Sequence, residues 1–180
     1  MDERIKNIIV EYGADILRSE EFKTTFGQRH HKHMNVGDHT LSVAAVAVRL
    51  CLLRNITDDA TLKNVVTAAL CHDLGIMGRS EKFSNNIQCY IRHPSDSVKA
   101  YRRITGEDDR RVIDSINSHM FPLKPVMPRY KESWIITSAD KISAMRERLG
   151  TPPVNRADSD ELFALLEHTQ DPAKSYADEG

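Results

Sequence analysis

Residues 38–54 read DHTLSVAAVAVRLCLLR, and this stretch decides the fold class of the chain. Its apolar side chains recur at helical spacing and cover most sides of the helix instead of a single stripe. We predict that the helix is capped by Asp38 and stops at Asn55. Because a helix that is apolar on most sides must be covered by other elements, we expect it at the centre of the domain.

Helical spacing continues on both sides of this central helix, and no segment alternates as a half-buried strand does. The other predicted helices span about residues 3–19, 57–75, 94–105, 107–119, 132–149 and 158–168. Pro94 is the predicted first-turn residue of its helix, and residues 76–88 are predicted to form a loop with room for one short helical turn. Three prolines keep residues 121–128 out of regular helix. We therefore predict an all-α fold, a single compact domain with about six to eight helices.

Size, charge and cysteine content limit the number of domains, the classes of partner and the cellular compartment that we expect. The 180 residues suffice for one well-cored domain, and 25 Lys+Arg against 26 Asp+Glu give a net charge of -1. Without a basic excess we expect no DNA binding, and without an apolar run of roughly 18–20 residues we expect no membrane span. Cys51, Cys71 and Cys89 have no metal-site or disulfide spacing, so we predict buried thiols in a cytoplasmic protein that has no signal peptide. A homodimer is compatible with these features.

Histidine and aspartate residues fall at the ends or on the faces of the predicted helices. The residues of this set are His39, His72, Asp73, His93, His119 and Asp140. Each one alone is more often a helix cap or the partner of a nearby charge. Together, four imidazoles and two carboxylates suit a borderline transition metal. A His-Asp pair beside an apolar stripe is also costly to bury without a partner or an ion.

The ordered set resembles the H…HD…D pattern of the HD superfamily of metal-dependent phosphohydrolases, which are all-helical. The segments Cys71-His72-Asp73-Leu74-Gly75 and Ser138-Ala139-Asp140-Lys141 are close to the usual local forms of that pattern. The similarity predicts an HD domain over residues 36–150. We expect residues 1–35, an N-terminal helix and a His-rich loop, to pack on its core. Residues 151–180 are predicted to form a C-terminal helix and a frayed acidic tail.

The resemblance implies that His39, His72, Asp73 and Asp140 hold one metal ion. His93 and His119 match two further histidines of the binuclear branches, which include HD-GYP phosphodiesterases and some dinucleotide polyphosphate hydrolases. In those branches Asp73 would bridge two ions, and a water between them would attack phosphorus. Four imidazoles favour iron or manganese; zinc, nickel, cobalt and magnesium are the other candidates.

Two departures from the family pattern bear on the substrate. Ile76 stands where members with the longer motif usually have Lys, which removes one cation that would contact phosphate. The chain reads Met120-Phe121-Pro122 after His119, where the cyclic-di-GMP enzymes have Gly-Tyr-Pro. We therefore do not expect a standard cyclic-di-GMP phosphodiesterase.

A phosphorylated substrate needs compensating cations near the ions. We predict this role for Lys141 and Arg79, which lie close in sequence to proposed ligands, so that the predicted catalytic residues are Asp73, Lys141 and Arg79. The His30 to His33 cluster is interpreted as a polar loop beside His39 that could cover the substrate.

These residues predict an enzyme that hydrolyses a phosphoester or phosphoanhydride bond of a small, nucleotide-like substrate by a metal-activated water. One alternative is a mononuclear nucleotidase, in which His93 and His119 contact the phosphate instead of a second ion. Another is a metal- or nucleotide-sensing module that has kept the fold without turnover. Metal content per chain separates the first two, and a broad panel of phosphoesters tests the third.

Overall fold

The computed structural model describes residues 1–31 and 34–169, and the predicted all-α fold is confirmed within them. The helices are α1 (Glu3–Arg18), α2 (Glu20–Thr24), α3 (Val36–Leu53), α4 (Asp59–Cys71), α5 (Arg79–Lys82), α6 (Asn86–Thr105), α7 (Arg110–Ser118), α8 (Lys131–Arg148) and α9 (Arg156–His168). Two 3-10 turns cover Thr25–Gly27 and Leu74–Ile76, and a small antiparallel hairpin joins β1 (Arg29–His31) to β2 (Met34–Asn35). Seven of these helices correspond to the predicted ones, and α5 corresponds to the short helical turn allowed in the 76–88 loop. Helix α2 and the hairpin are additions.

Two predicted features lie outside the described residues. One is the frayed acidic tail, since the description ends at residue 169. The other is part of the His30 to His33 cluster, since residues 32 and 33 are not among the described residues. His30 and His31 lie in β1, so the prediction of a loop is wrong for these two residues.

Helix α3 forms the centre of the fold, as the opening stretch of sequence indicates. It packs against α8, α4 and α1, and every residue from Val36 to Val48 is buried. By length and composition α3 could cross a membrane, but 72% of this window is buried inside the structure. Its apolar surface is therefore accounted for by the core of the domain.

The start of α3 differs from the prediction. The N-cap is Asn35, whose side-chain oxygen accepts a hydrogen bond from the Asp38 backbone N–H at 2.7 Å. Asp38 lies inside the first turn, where the positive end of the helix dipole suits a carboxylate. The other end agrees with the prediction, because Asn55 follows the last turn with a positive φ of 55°.

The prediction that Pro94 begins a helix is wrong, because α6 begins eight residues earlier. The side-chain oxygen of Asn85 caps the helix by accepting a hydrogen bond from the Gln88 backbone N–H. Pro94 lies in the interior of the helix. A proline within a helix leaves one backbone carbonyl without its usual partner, a cost that here is outweighed by the packing of α6. His93 is consequently a residue of the helix interior, with its position fixed by α6.

The chain turns sharply after α4, which ends at Cys71 and not at Gly75 as predicted. The 3-10 turn that follows packs closely on α6, and the Gly75 backbone N–H donates to the Ser97 hydroxyl at 2.9 Å. A Cβ at position 75 would lie 2.6 Å from the Ser97 backbone nitrogen, so only glycine fits here. This close approach places the segment before Gly75 against the part of α6 that carries His93.

Helix α8 presents fewer of its apolar side chains to the core than its spacing indicates. Ile135 and Ala139 are buried, but Trp134, Met145 and Leu149 are 43%, 56% and 72% exposed. Helix α8 packs on α3, α7 and α4, and these three side chains remain partly open to solvent. The three free thiols, in contrast, are buried as predicted.

Candidate metal centre

Five helices bring the six predicted histidine and aspartate residues into one cluster. His39 comes from the first turn of α3, His72 and Asp73 from the end of α4, His93 from α6, His119 from the end of α7 and Asp140 from the middle of α8. The four histidines and Asp73 are buried, and the Asp140 side chain is 16% exposed. Residues up to 101 positions apart thus share one interior volume.

Asp73 lies between two pairs of imidazoles and presents a different oxygen to each pair. Its Oδ1 is 3.1 Å from His93 Nε2 and 3.6 Å from His119 Nε2. Its Oδ2 is 3.6 Å from His72 Nε2 and 3.9 Å from His39 Nε2. A carboxylate in this position can bridge two ions, with one pair of imidazoles for each.

Asp140 supplies the second carboxylate on the His39 side of the cluster. Its Oδ1 lies 3.3 Å from His39 Nε2. Donor atoms of His39, His72 and Asp140 all lie within 4.8 Å of one another, and so do those of His72, Asp73 and His119. The described residues therefore contain two overlapping groups with the spacing of metal ligands.

Three of the imidazoles are oriented by backbone carbonyls of their own helices. The Nδ1 atoms of His72, His93 and His119 lie 2.7, 2.8 and 2.7 Å from the carbonyl oxygen three or four residues earlier. A carbonyl can only accept, so each Nδ1 carries a proton, and each Nε2 faces the cluster, where it offers a lone pair when the ring is neutral.

Two contacts test whether this cluster suits a cation. His72 Nε2 is buried and has no hydrogen-bond partner among the described residues. His93 Nε2 and His119 Nε2 lie 3.0 Å apart, although both are lone-pair atoms when their Nδ1 atoms are protonated. Such a contact needs a proton or a cation beside it, because two lone pairs repel each other. The donor set therefore fits a bound transition metal.

His39 differs from the other three histidines, because its Nδ1 faces a carboxylate. Glu147 Oε1 and Oε2 lie 2.9 Å and 3.0 Å from His39 Nδ1, and the Glu147 side chain is only 1% exposed. Glu147 is not among the site residues predicted from the sequence. Its position seven residues after Asp140, on the same face of α8, is the signal that could have revealed it.

The ionisable groups perturb one another strongly. Burial lowers the pKa of His39 and His93, but hydrogen bonds to carboxylates and a backbone carbonyl outweigh burial and raise both values to about 10. Burial lowers the pKa of His72 to about 4, so that this imidazole is neutral. Burial alone would raise the pKa values of Asp73 and Asp140, but the surrounding imidazoles hold both below the usual range. Without a metal, therefore, His39 and His93 are protonated beside the ionised Asp73 and Asp140.

A cavity of about 460 Å³ opens onto the cluster. Asp73, His93 and Asp140 form its inner end. Three cations and a set of apolar side chains form the rest of the lining, namely Arg79, Lys141 and Arg148 together with Ile76, Tyr90, Met120, Leu123, Ala144, Met145 and Leu149. The exposed apolar residues at the end of α8 are thus part of this wall.

The two cations predicted to contact phosphate both line the cavity. The Lys141 amine donates to the His119 carbonyl oxygen at 2.9 Å, and burial lowers its pKa. The Arg79 guanidinium donates to the Asn86 side-chain oxygen at 2.7 Å. Arg148 is a third cation that sequence reasoning missed, although it follows Lys141 by seven residues on the same face of α8.

The chain matches the model of a known protein family. The family model of the HD domain matches residues 36–145, which is more than half of the chain. The match runs from the start of α3 into α8 and includes all six residues of the cluster. No curated protein and no solved structure gave a significant match.

Proposed function

This chain belongs to the HD-domain family of metal-dependent phosphohydrolases, and we propose that it hydrolyses a phosphoester or phosphoanhydride bond of a small, nucleotide-like substrate with two divalent ions. One observation carries the proposal. The two oxygens of Asp73 face different pairs of imidazoles, at 3.1 Å from His93 Nε2 on one side and 3.6 Å from His72 Nε2 on the other.

The cluster divides into two sets of ligands that share Asp73. His39, His72 and Asp140 would hold the first ion together with Asp73 Oδ2, and His93 and His119 would hold the second together with Asp73 Oδ1. Iron or manganese suits these mixed nitrogen and oxygen donors. Bound ions would supply a water activated for attack and would polarise the phosphoryl oxygens.

The rest of the cavity supports a substrate that combines phosphate with an apolar or flat group. Lys141, Arg79 and Arg148 would neutralise phosphate charge, because all three line the cavity that opens onto the ligands. The hydrogen bond to the His119 carbonyl holds the Lys141 amine beside the cluster. The apolar wall around Tyr90 would cover a base, and a volume of about 460 Å³ is within the range of small-molecule sites.

We further propose that the protein acts in the cytoplasm, without DNA or membrane partners, either as a monomer or as a homodimer. The buried free thiols are consistent with a reducing compartment. The net charge of -1 supports a small-molecule substrate over a nucleic acid polymer.

The deciding experiment is metal analysis of protein purified without chelator, followed by assays on a broad phosphoester panel with the ion that is found. We expect close to two ions per chain and hydrolysis of at least one nucleotide-like substrate. Close to one ion per chain with activity would favour the mononuclear nucleotidase. Bound metal without hydrolysis of any substrate would favour the sensing module.

A His119→Ala variant tests the second set of ligands. We expect it to lose about one ion per chain, because only His93 and Asp73 Oδ1 would remain on that side. Circular dichroism should show an unchanged helical fold. Metal content equal to that of the wild type would place His119 outside the metal-binding set.

A further inference from the structure

The four imidazoles of the cluster are not held in the same way. Backbone carbonyls face the Nδ1 atoms of His72, His93 and His119, at distances of 2.7 to 2.8 Å. His39 Nδ1 instead faces both oxygens of the buried Glu147 carboxylate. The His39 side of the cluster therefore differs from the His93 side in having an imidazole that is held by a carboxylate.

Helix α8 holds the His39 ring from both of its nitrogens. Asp140 Oδ1 lies 3.3 Å from His39 Nε2, and Glu147 Oε1 lies 2.9 Å from His39 Nδ1. The two acidic residues are seven positions apart and therefore lie on one face of the helix, two turns from each other. As a result, the orientation of the ring is fixed by the same helix that supplies the Asp140 ligand.

A carboxylate at the outer nitrogen of a metal-binding histidine strengthens the bond to the metal. It accepts the Nδ1 proton, fixes the tautomer and increases the basicity of Nε2, and its removal typically costs about 10–100-fold in metal affinity. A neutral backbone carbonyl fixes the tautomer in the same way but brings no charge. His39 should therefore be the strongest imidazole donor of the four.

The His39 side of the cluster also has more ligand donors than the His93 side. The His39 side offers two imidazoles, Asp140 and one oxygen of Asp73, whereas the other side offers His93, His119 and the second Asp73 oxygen. His93 also lines the open cavity, while His39 does not. Asp140 of the His39 side lines the same cavity, so access to solvent does not separate the two sides. The His93 side is thus distinguished by having fewer ligands.

We propose that Glu147 is a positioning residue that makes the ion at His39, His72 and Asp140 the tightly bound one and leaves the ion at His93 and His119 exchangeable. This inference rests on the proposed function only in requiring that two ions bind. It does not depend on the substrate or on the reaction.

The test is a time course of metal loss during dialysis against a chelator, with metal content measured at each point. We expect the wild type to lose one ion quickly and to retain the other. In Glu147→Ala the retained ion should bind about 10–100-fold more weakly, so that both ions leave. Glu147→Gln keeps a side-chain oxygen without the charge, and its loss of affinity should be smaller.

Glu132→Gln is the matched control. Glu132 is a carboxylate of the same helix whose side chain is also 1% exposed, but it pairs with Arg111 at 3.0 Å, away from the cluster. This variant should retain the tight ion as the wild type does. A loss equal to that of Glu147→Gln would mean that any buried carboxylate of α8 has the effect, and would overturn the inference.

A spectroscopic measurement separates positioning from general stability. The wild type and Glu147→Gln are loaded with one equivalent of Co²⁺, and their visible absorption is compared. We expect the absorption of the tightly bound Co²⁺ to change in Glu147→Gln, because the strength of the His39 donor has changed. An unchanged spectrum with unchanged retention would overturn the inference, even if Glu147→Ala fails to fold.

The outcomes distinguish this inference from the proposed function. A wild type that binds no ion contradicts the proposed function itself. If the wild type binds two ions, and both leave at the same rate from the wild type and from Glu147→Gln, only the role of Glu147 is contradicted.

Discussion

Asp73 is the residue on which both sides of the cluster depend. Each of its oxygens lies within 3.9 Å of two imidazoles, so its removal takes a donor from both proposed ions at once. The buried imidazoles would also lose the negative charge that compensates them. Its effect on metal binding should therefore exceed that of any single histidine.

We expect Asp73→Ala to abolish metal binding and hydrolysis together. Metal analysis and an assay with the best substrate of the panel would measure both. Asp96→Ala is a suitable control, because Asp96 pairs with Lys99 on the surface of α6. Full activity in Asp73→Ala would contradict the metal-centre assignment.

The histidine pKa values predict a release of protons when metal binds. In the metal-free protein His39 and His93 have pKa values raised to about 10, so both are protonated at pH 7. A metal ligand must be neutral, so loading at pH 7 should release about two protons per chain. By the same reasoning, apparent metal affinity should rise with pH until about pH 10.

Isothermal titration calorimetry in buffers of different ionisation enthalpy measures this number. The slope of the binding enthalpy against the ionisation enthalpy of the buffer gives the protons released. A slope near zero at pH 7 would contradict the prediction, since it would mean that both imidazoles are already neutral in the metal-free protein.

At the scale of elements, the position of Asp73 depends on how closely the 3-10 turn after α4 approaches α6. The approach is possible because residue 75 has no side chain. A Cβ there would collide with the His93 carbonyl and lie 2.6 Å from the Ser97 backbone nitrogen. Neither backbone atom can move without moving α6, which carries His93.

Gly75→Ala should therefore lower both stability and metal content. We expect the free energy of unfolding to fall by about 1–3 kcal/mol, as overpacking in a core does. Metal content should fall because the turn would be pushed away from α6. Denaturant unfolding and metal analysis are the measurements.

Gly27→Ala is the control, because a Cβ at position 27 meets no atom within 4 Å. Its free energy of unfolding should change by less than about 0.5 kcal/mol. Equal stabilities for the Gly75→Ala variant and this control would show that the turn can move without cost.

At the scale of the whole molecule, the cluster joins helices that are distant in sequence. Its six residues come from α3, α4, α6, α7 and α8, so an ion held there links most of the domain. A ligand that binds only the folded state stabilises it, by about 2.7 kcal/mol when its free concentration is 100 times the Kd. The metal should therefore be a major contributor to stability as well as to chemistry.

Removal of the metal with a chelator should lower the melting temperature by about 5–10 °C, given about 2–4 °C per kcal/mol for a chain of this size. Thermal melts followed by circular dichroism would measure the shift. Addition of the ion found in the purified protein should restore the original value. A melting temperature that is independent of metal would contradict binding by these residues.

The family and the ligand candidates could be predicted from the sequence because they depend on local chemistry. The apolar residues of 38–54 require a central helix, and the helix positions of the histidines and aspartates match one known pattern. The end of α3 at Asn55 follows a local rule and agrees with the prediction. The start of α6 was not predicted, because the packing of the whole helix offsets the local cost of Pro94.

The sequence by itself therefore determined the helical fold class and the six residues that could bind metal, since hydropathy period and residue type carry that information. Only the tertiary structure decided which atoms face each other. Glu147 and Arg148 are adjacent charged residues near the end of α8, and the sequence alone does not distinguish their roles. The contact of α8 with α3 directs the Glu147 carboxylate to His39, while Arg148 lines the cavity. Whether a charged side chain belongs to the site depends on which residues pack against it. Those contacts join segments about 100 residues apart in the sequence, which local patterns do not reveal.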